Sequence, residues 1–256
     1  MSSRVRVCAA LATFTFTSSF LLAASAQAQG VDDFGGYGRT RGDAETKQEA
    51  AFELRIGRYV PEVDSQLPTT PFQDTFGPSN RYTFGAEVDW QVLRIKHLGS
   101  LGPGFGWSYT KFSSRAPFAD GSGLSASTTR LNIMPMYVVG VLRADVISKD
   151  FKIPLVPYAK LGVGYAMWWS SDGQRSATFQ GEKGKGGSYG LTYALGGMFL
   201  LDVLDPDDAK SADGIMGINN SYLFAEWFRP QLDGFGSSKV LDLSSSSWVV
   251  GFALEM

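Results

Sequence analysis

Acid–base and metal chemistry at neutral pH falls first to histidine and cysteine, and this sequence carries one of each, His97 and Cys8. A nucleophilic site would need a histidine beside a serine, and a zinc or iron site would need several such ligands. His97 lies in KHLGSLG, a short turn-like stretch, so a plain turn residue is expected. GEKGKGGSYG (181–190) looks like a phosphate-binding loop but lacks the Gly-Lys-Ser/Thr ending at the required spacing, and reads as an exposed loop. No catalytic, cofactor-binding or metal-binding set is expected, and the chain reads as a non-enzyme. The more informative groups are isolated charges within apolar surroundings: Glu53, Arg55, Glu87, Asp89, Lys160 and Glu226. Such charges must be paired if they are buried. They fit an ion-pair network that fills and fixes an interior better than a gated conduit.

The elements that position these charges alternate with period two, the strand signal. Phe52, Leu54 and Ile56 share one face, with Glu53, Arg55 and Gly57 opposite. Tyr82, Phe84, Ala86, Val88, Trp90 and Val92 alternate with Thr83, Gly85, Glu87, Asp89 and Gln91. The same pattern recurs with Phe105, Trp107 and Tyr109, then with Leu131, Ile133, Tyr137, Val139 and Val141, where Met134, Met136 and Val138 blur the other side. It continues with Ala159, Leu161, Val163 and Tyr165 against Lys160, Gly162 and Gly164, and with Tyr189, Leu191, Tyr193 and Leu195 against Gly190, Thr192, Ala194 and Gly196. NNSYLFAEWF is apolar on both faces, so its register is open, and Glu226 shares its face with Tyr222, Phe224 and Phe228. In the last segment, Trp248, Val250, Phe252, Leu254 and Met256 alternate with Val249, Gly251, Ala253 and Glu255.

Eight strands can close up-and-down with both ends at one rim. Long polar connections (61–81, 113–127, 171–187, 230–245) alternate with connections shorter on average (96–101, 144–152, 203–218), the plan of an outer-membrane barrel. The last of these, with DPDDAKSADGIMG, is long enough for a helical turn. In a water-soluble barrel the apolar residues point inward; in a membrane barrel they point outward. Here the less apolar face carries mostly Gly, Ala, Ser and Thr with a few opposite charges, which suits the tight interior of an eight-stranded barrel. The fold class expected is therefore an all-β, eight-stranded, antiparallel transmembrane barrel. Trp168, Trp169, Trp227 and Trp248 fall near one rim and Trp90 near the other, the levels of aromatic girdles.

Arg4 and Arg6 precede an apolar and Ser/Thr stretch that closes on Ala26-Gln27-Ala28, a secretory signal pattern. Residues 1–28 are read as the signal, 29–49 as a flexible periplasmic segment and 50–256 as the barrel. Without the signal, Lys+Arg falls from 23 to 21 against 25 Asp+Glu, so the formal charge moves from −2 to −4. That balance predicts no nucleic-acid partner. Without Cys8 there is no disulfide. The 30 Gly, 18 Phe, 10 Tyr and 6 Trp favour strands and turns.

PYAKLGVGY (157–165) resembles the Pro-Tyr-x-x-x-Gly-x-Gly strand of small OmpA/OmpX-like barrels. Leu204-Asp205-Pro206 followed by GINNSYLFAEW (217–227) is similar to a myxobacterial family of outer-membrane β-barrels of unassigned function. Gly251-x-x-Leu254-x-Met256 resembles the C-terminal signal read by the barrel assembly machinery, with Leu and Met where aromatics are usual. These resemblances imply an outer-membrane location in a Gram-negative bacterium and assembly through Trp248, Val250, Gly251, Phe252, Leu254 and Met256. They imply no substrate. The expected role is structural or surface-interacting, with polar loops outside, outer-membrane lipid and lipopolysaccharide as partners, and a monomeric state. Lys183, Lys185, Arg58 and Arg130 are the candidates for lipopolysaccharide phosphates. A narrow transport pore and a periplasmic lipocalin-like binding barrel are the alternatives.

Overall fold

A computed structural model describes residues 49–77, 81–96, 98–117, 123–146, 148, 153–172, 175–176, 178–179, 182–203 and 218–256. The expected signal, residues 29–48, His97 and the stretch 205–217 lie outside the described residues. Eight long strands dominate: β1 (Ala50–Tyr59), β2 (Arg81–Trp90), β3 (Gly99–Pro117), β4 (Leu124–Arg143), β5 (Leu155–Asp172), β6 (Lys185–Leu200), β7 (Asn220–Gln231) and β8 (Ser247–Glu255). Each pairs antiparallel with its sequence neighbour, and β8 pairs back onto β1 from Ala51↔Glu255 to Gly57↔Val249. The sheet is therefore a closed eight-stranded antiparallel β-barrel, its first and last strands joined from Ala51 to Gly57 of β1.

Alternation sets the two faces. Along β1, Ala51, Glu53, Arg55, Gly57 and Tyr59 are buried, while Phe52, Leu54, Ile56 and Arg58 point away from the lumen. β2, β5, β6 and β8 follow the faces expected from their sequences, and β7 turns Tyr222, Phe224 and Glu226 inward. The apolar face is the outer one: Leu161 is 65% exposed, Phe84 61% and Leu195 58%.

β4 is inverted relative to the sequence reading. Leu131, Ile133, Tyr137, Val139 and Val141 are buried in the lumen, and Met134, Met136 and Val138 lie outside. Both faces of this strand are apolar, so hydrophobicity could not choose between them, and a one-residue slip exchanges the faces. The neighbours choose instead. Tyr137 stands opposite Gly106 of β3, where any Cβ would collide with its ring.

The long connections are not simply polar and exposed. Between β1 and β2 a 3-10 turn (Val63–Gln66) leads to a short helix, α1 (Pro71–Phe76). Asp64 accepts hydrogen bonds from the Phe72 and Gln73 N–H groups, both at 2.9 Å, satisfying donors that open the helix. Phe72 then packs edge-on to Phe112 at 5.1 Å. The β7–β8 connection folds over the same rim and buries Leu232 and Leu243. Ser65 donates to Asp242 at 3.0 Å and Tyr59 to the Leu243 carbonyl at 2.6 Å, tying this connection to the β1–β2 connection and to the end of β1.

Candidate functional site

The lumen has two halves. Toward the short-turn rim the six charges singled out in the sequence meet in one cluster, and all six are buried. Lys160 sits at its centre, with its ammonium 2.8 Å from Glu53, 2.7 Å from Glu87 and 3.5 Å from Glu226. Arg55 reaches Glu87 at 2.5 Å and is bonded to Glu226 through its other terminal nitrogen. Its guanidinium also lies over the Phe228, Tyr137 and Phe224 rings, at 5.2, 5.6 and 5.8 Å.

Two members were missed by sequence reasoning. Arg143, at the end of β4, lies 2.5 Å from Asp89 and 3.2 Å from Glu53. Glu255 of β8 lies 3.8 Å from Arg143, and accepts hydrogen bonds from Tyr222 at 3.0 Å, Asn220 at 2.8 Å and Gln91. Strand alternation alone would have placed Glu255 inside, between the outward Leu254 and Met256. Arg143 was hidden by the inverted reading of β4, because it shares the parity of Val141 and Val139.

Tyrosines complete the set. Tyr137 donates to Glu87 at 2.5 Å and Tyr158 to Glu226 at 2.9 Å. Small residues make room for them: a Cβ on Gly196 would press on both the Tyr158 ring and Glu226. Glu53, Glu87 and Asp89 each place a carboxylate oxygen within 4.8 Å of the others, the crowding expected of a cation site. Lys160 and Arg143 already stand between these oxygens, so protein cations occupy that role. The arrangement holds charge in place; it presents no nucleophile–base pair.

Toward the long-loop rim the lumen is apolar. Phe112, Leu131, Ile133, Ala166, Leu232 and Leu243 form one buried cluster, capped by Phe72 and Phe76 of α1. Trp168 packs against this cluster from inside, so it is not part of an outer girdle. Trp169, Trp248 and Trp90 do face outward and are exposed, and Trp227 lies against Tyr193 with ring centroids 5.7 Å apart. Between the halves is a void of about 20 Å³ beside Arg55, Gly57, Tyr137 and Phe228, room for about one water.

The outward face has its own charge pattern. Among the described residues of the eight strands it carries no carboxylate. Its cations, Arg58, Lys111, Arg115, Arg130, Lys185 and Arg229, all lie toward the long-loop rim. Pairing places Lys111, Asn132, Trp169 and Lys185 in one row across four strands. Arg229 is paired with Glu62, at 2.5 Å. The side chain of Lys183 lies outside the described residues. The six expected assembly residues sit together on β8 and the residue that follows it: Trp248, Val250, Phe252, Leu254 and Met256 alternate on the outward side, and Gly251 points in, where a Cβ would collide with the Phe224 ring.

No protein-family model and no curated relative matches the sequence. Among solved structures, the chain is similar to Ail, the attachment invasion locus protein of Yersinia pestis, with a TM-score of 0.41 and 14% identity over 81% of this chain and 99% of that one. It is similar to Neisserial surface protein A, with a TM-score of 0.42 and 11% identity over 81% of this chain and 96% of that one. It is also similar to the N-terminal β-barrel domain of Pseudomonas aeruginosa OprF, with a TM-score of 0.35 and 8% identity over 82% of this chain and 98% of that one.

Proposed function

We propose that this chain is an outer-membrane β-barrel with a structural or surface-interaction role, its lumen closed by its own side chains. The observation that carries this reading is the sense of the two faces. The outer surface is an aliphatic and aromatic band with cations only toward the long-loop rim, and the strand carboxylates are inside, set against buried cations. Water outside would favour the reverse arrangement. A hydrocarbon surround favours this one, and closure of β8 onto β1 pairs the two strands that an open sheet would leave as edges in lipid. The outer cations at the long-loop rim fit the phosphates of an outer leaflet, with lipopolysaccharide the partner proposed for Arg58, Arg130, Lys183 and Lys185.

The filled lumen supports a support-and-display role over transport. An ion moving along the axis would have to pass both the apolar cluster and the Lys160 cluster. The test is refolding of residues 29–256 in detergent, followed by electrophoresis with and without boiling and by planar-bilayer recording. A faster unboiled band with little or no conductance is expected. A protein that stays soluble without detergent and shows no band shift would overturn the membrane reading, and steady single-channel conductance would replace the structural role with transport.

A further inference from the structure

The barrel wall has a break at its closing seam. The β1–β8 pairing ends at Gly57↔Val249, although β1 runs on to Tyr59 and β8 starts at Ser247. Each strand stays paired on its other side, β1 with β2 up to Tyr59↔Arg81 and β8 with β7 from Phe228↔Ser247. The two sides of the seam meet again only above it, where Val60 N–H donates to Ser245 Oγ at 3.4 Å and Glu62 N–H to the Ser244 carbonyl at 2.9 Å. Arg58 and Trp248, the next residues in register, do not pair.

A groove of about 650 Å³ lies on the outer face of this break, walled by Ile56, Tyr82, Trp248 and Val250. That volume is in the range of small-molecule sites, and the walls are those of a site for hydrocarbon. Arg58 lines the same groove on the rim side of Ile56, as do Ser246 and Ser247. Arg58 is exposed, and among the described residues of the eight strands the outward face offers it no carboxylate. A guanidinium in that position is matched by a phosphate, which it can hold through two parallel hydrogen bonds.

We infer that the seam groove is a lipid site: it takes one acyl chain of a phosphorylated glycolipid of the lipopolysaccharide type, with the lipid phosphate on Arg58. This rests on the membrane reading above, and it names the place where the lipid is held. The long-loop rim is the outer one in that reading, so the groove opens to the leaflet that carries such glycolipids.

The full chain in detergent, examined by native mass spectrometry with added bisphosphorylated lipid A, tests it. Wild type, Arg58→Gln and Ile56→Trp are compared, with dephosphorylated lipid A and phosphatidylglycerol as further probes. Both substitutions lie on the outward face, and the unboiled band shift reports whether each variant still folds. Arg58→Gln is expected to weaken lipid A retention about tenfold and to leave the dephosphorylated lipid unaffected. Ile56→Trp, which fills the groove, is expected to weaken both. Equal retention by all three folded proteins would overturn the groove. Stronger retention of phosphatidylglycerol than of lipid A would overturn the glycolipid as its occupant. Loss of the band shift in wild type would instead strike the membrane reading itself.

Discussion

The two halves of the lumen close the same barrel by opposite means. Toward the short turns, five carboxylates and three cations from β1, β2, β4, β5, β7 and β8 meet around Lys160. Toward the long loops, hydrocarbon from the wall and from two connections packs as an ordinary core. The charged half is made wholly of strand residues, whose positions are fixed by the ladder. The apolar half needs Leu232, Leu243, Phe72 and Phe76, which come from connections. A polar lumen can therefore be built from the wall alone, whereas this apolar seal requires chain folded back over the rim.

The largest effect that would sharpen this contrast is loss of a central charge. Arg55→Met leaves Glu87 and Glu226 without their guanidinium, and breaking a buried pair costs roughly 3–5 kcal/mol. Urea unfolding in micelles, followed by tryptophan fluorescence, is expected to register that loss; a change below about 1 kcal/mol would move the holding role to the apolar half. Leu232→Ala comes next. A buried Leu→Ala change costs about 2–5 kcal/mol, and a site in a connection that can relax falls near 2. Because the charged half lies beneath it intact, this variant is expected to conduct no better than wild type, and clear channel openings would show that the network does not seal. Gly106→Val tests how closely the halves meet. Its side chain would displace the Tyr137 ring from Glu87, an overpacking cost of about 1–3 kcal/mol, readable as a lower melting temperature in the same micelles. Smallest is Arg229→Gln, which breaks the half-exposed pair with Glu62 at the rim; about 1 kcal/mol or less is expected, shrinking further with added salt.

The charged half was more legible than the apolar half. Glu53, Arg55, Glu87, Asp89 and Lys160 stand out because they interrupt clear alternation, and a period of two fixes their side of the sheet. Arg143 was not legible. It ends a strand whose two faces are equally apolar, so its side depends on partners such as Gly106 that only the assembled sheet supplies. The apolar half was hidden for a different reason. Leu232, Leu241 and Leu243 sit among Gly, Ser and Asp, a composition that reads as an exposed loop, and their burial depends on contact with residues far away in sequence. Trp168 and Trp169 teach the same lesson on a smaller scale: adjacent residues with one chemistry serve opposite faces.

The spread of the charged cluster over six strands also bears on the order of assembly. Its members lie far apart along the chain: Arg55 and Glu226 are separated by 171 residues, Lys160 and Glu53 by 107. An open sheet cannot bring them together, because the groups from β1 and β2 meet those from β7 and β8 only when the ring shuts. A half-formed barrel would hold charges in an apolar surround without their partners, a costly state. The network thus penalises every partly closed species and rewards only the last step, so insertion should proceed as a single concerted event with sparsely populated intermediates.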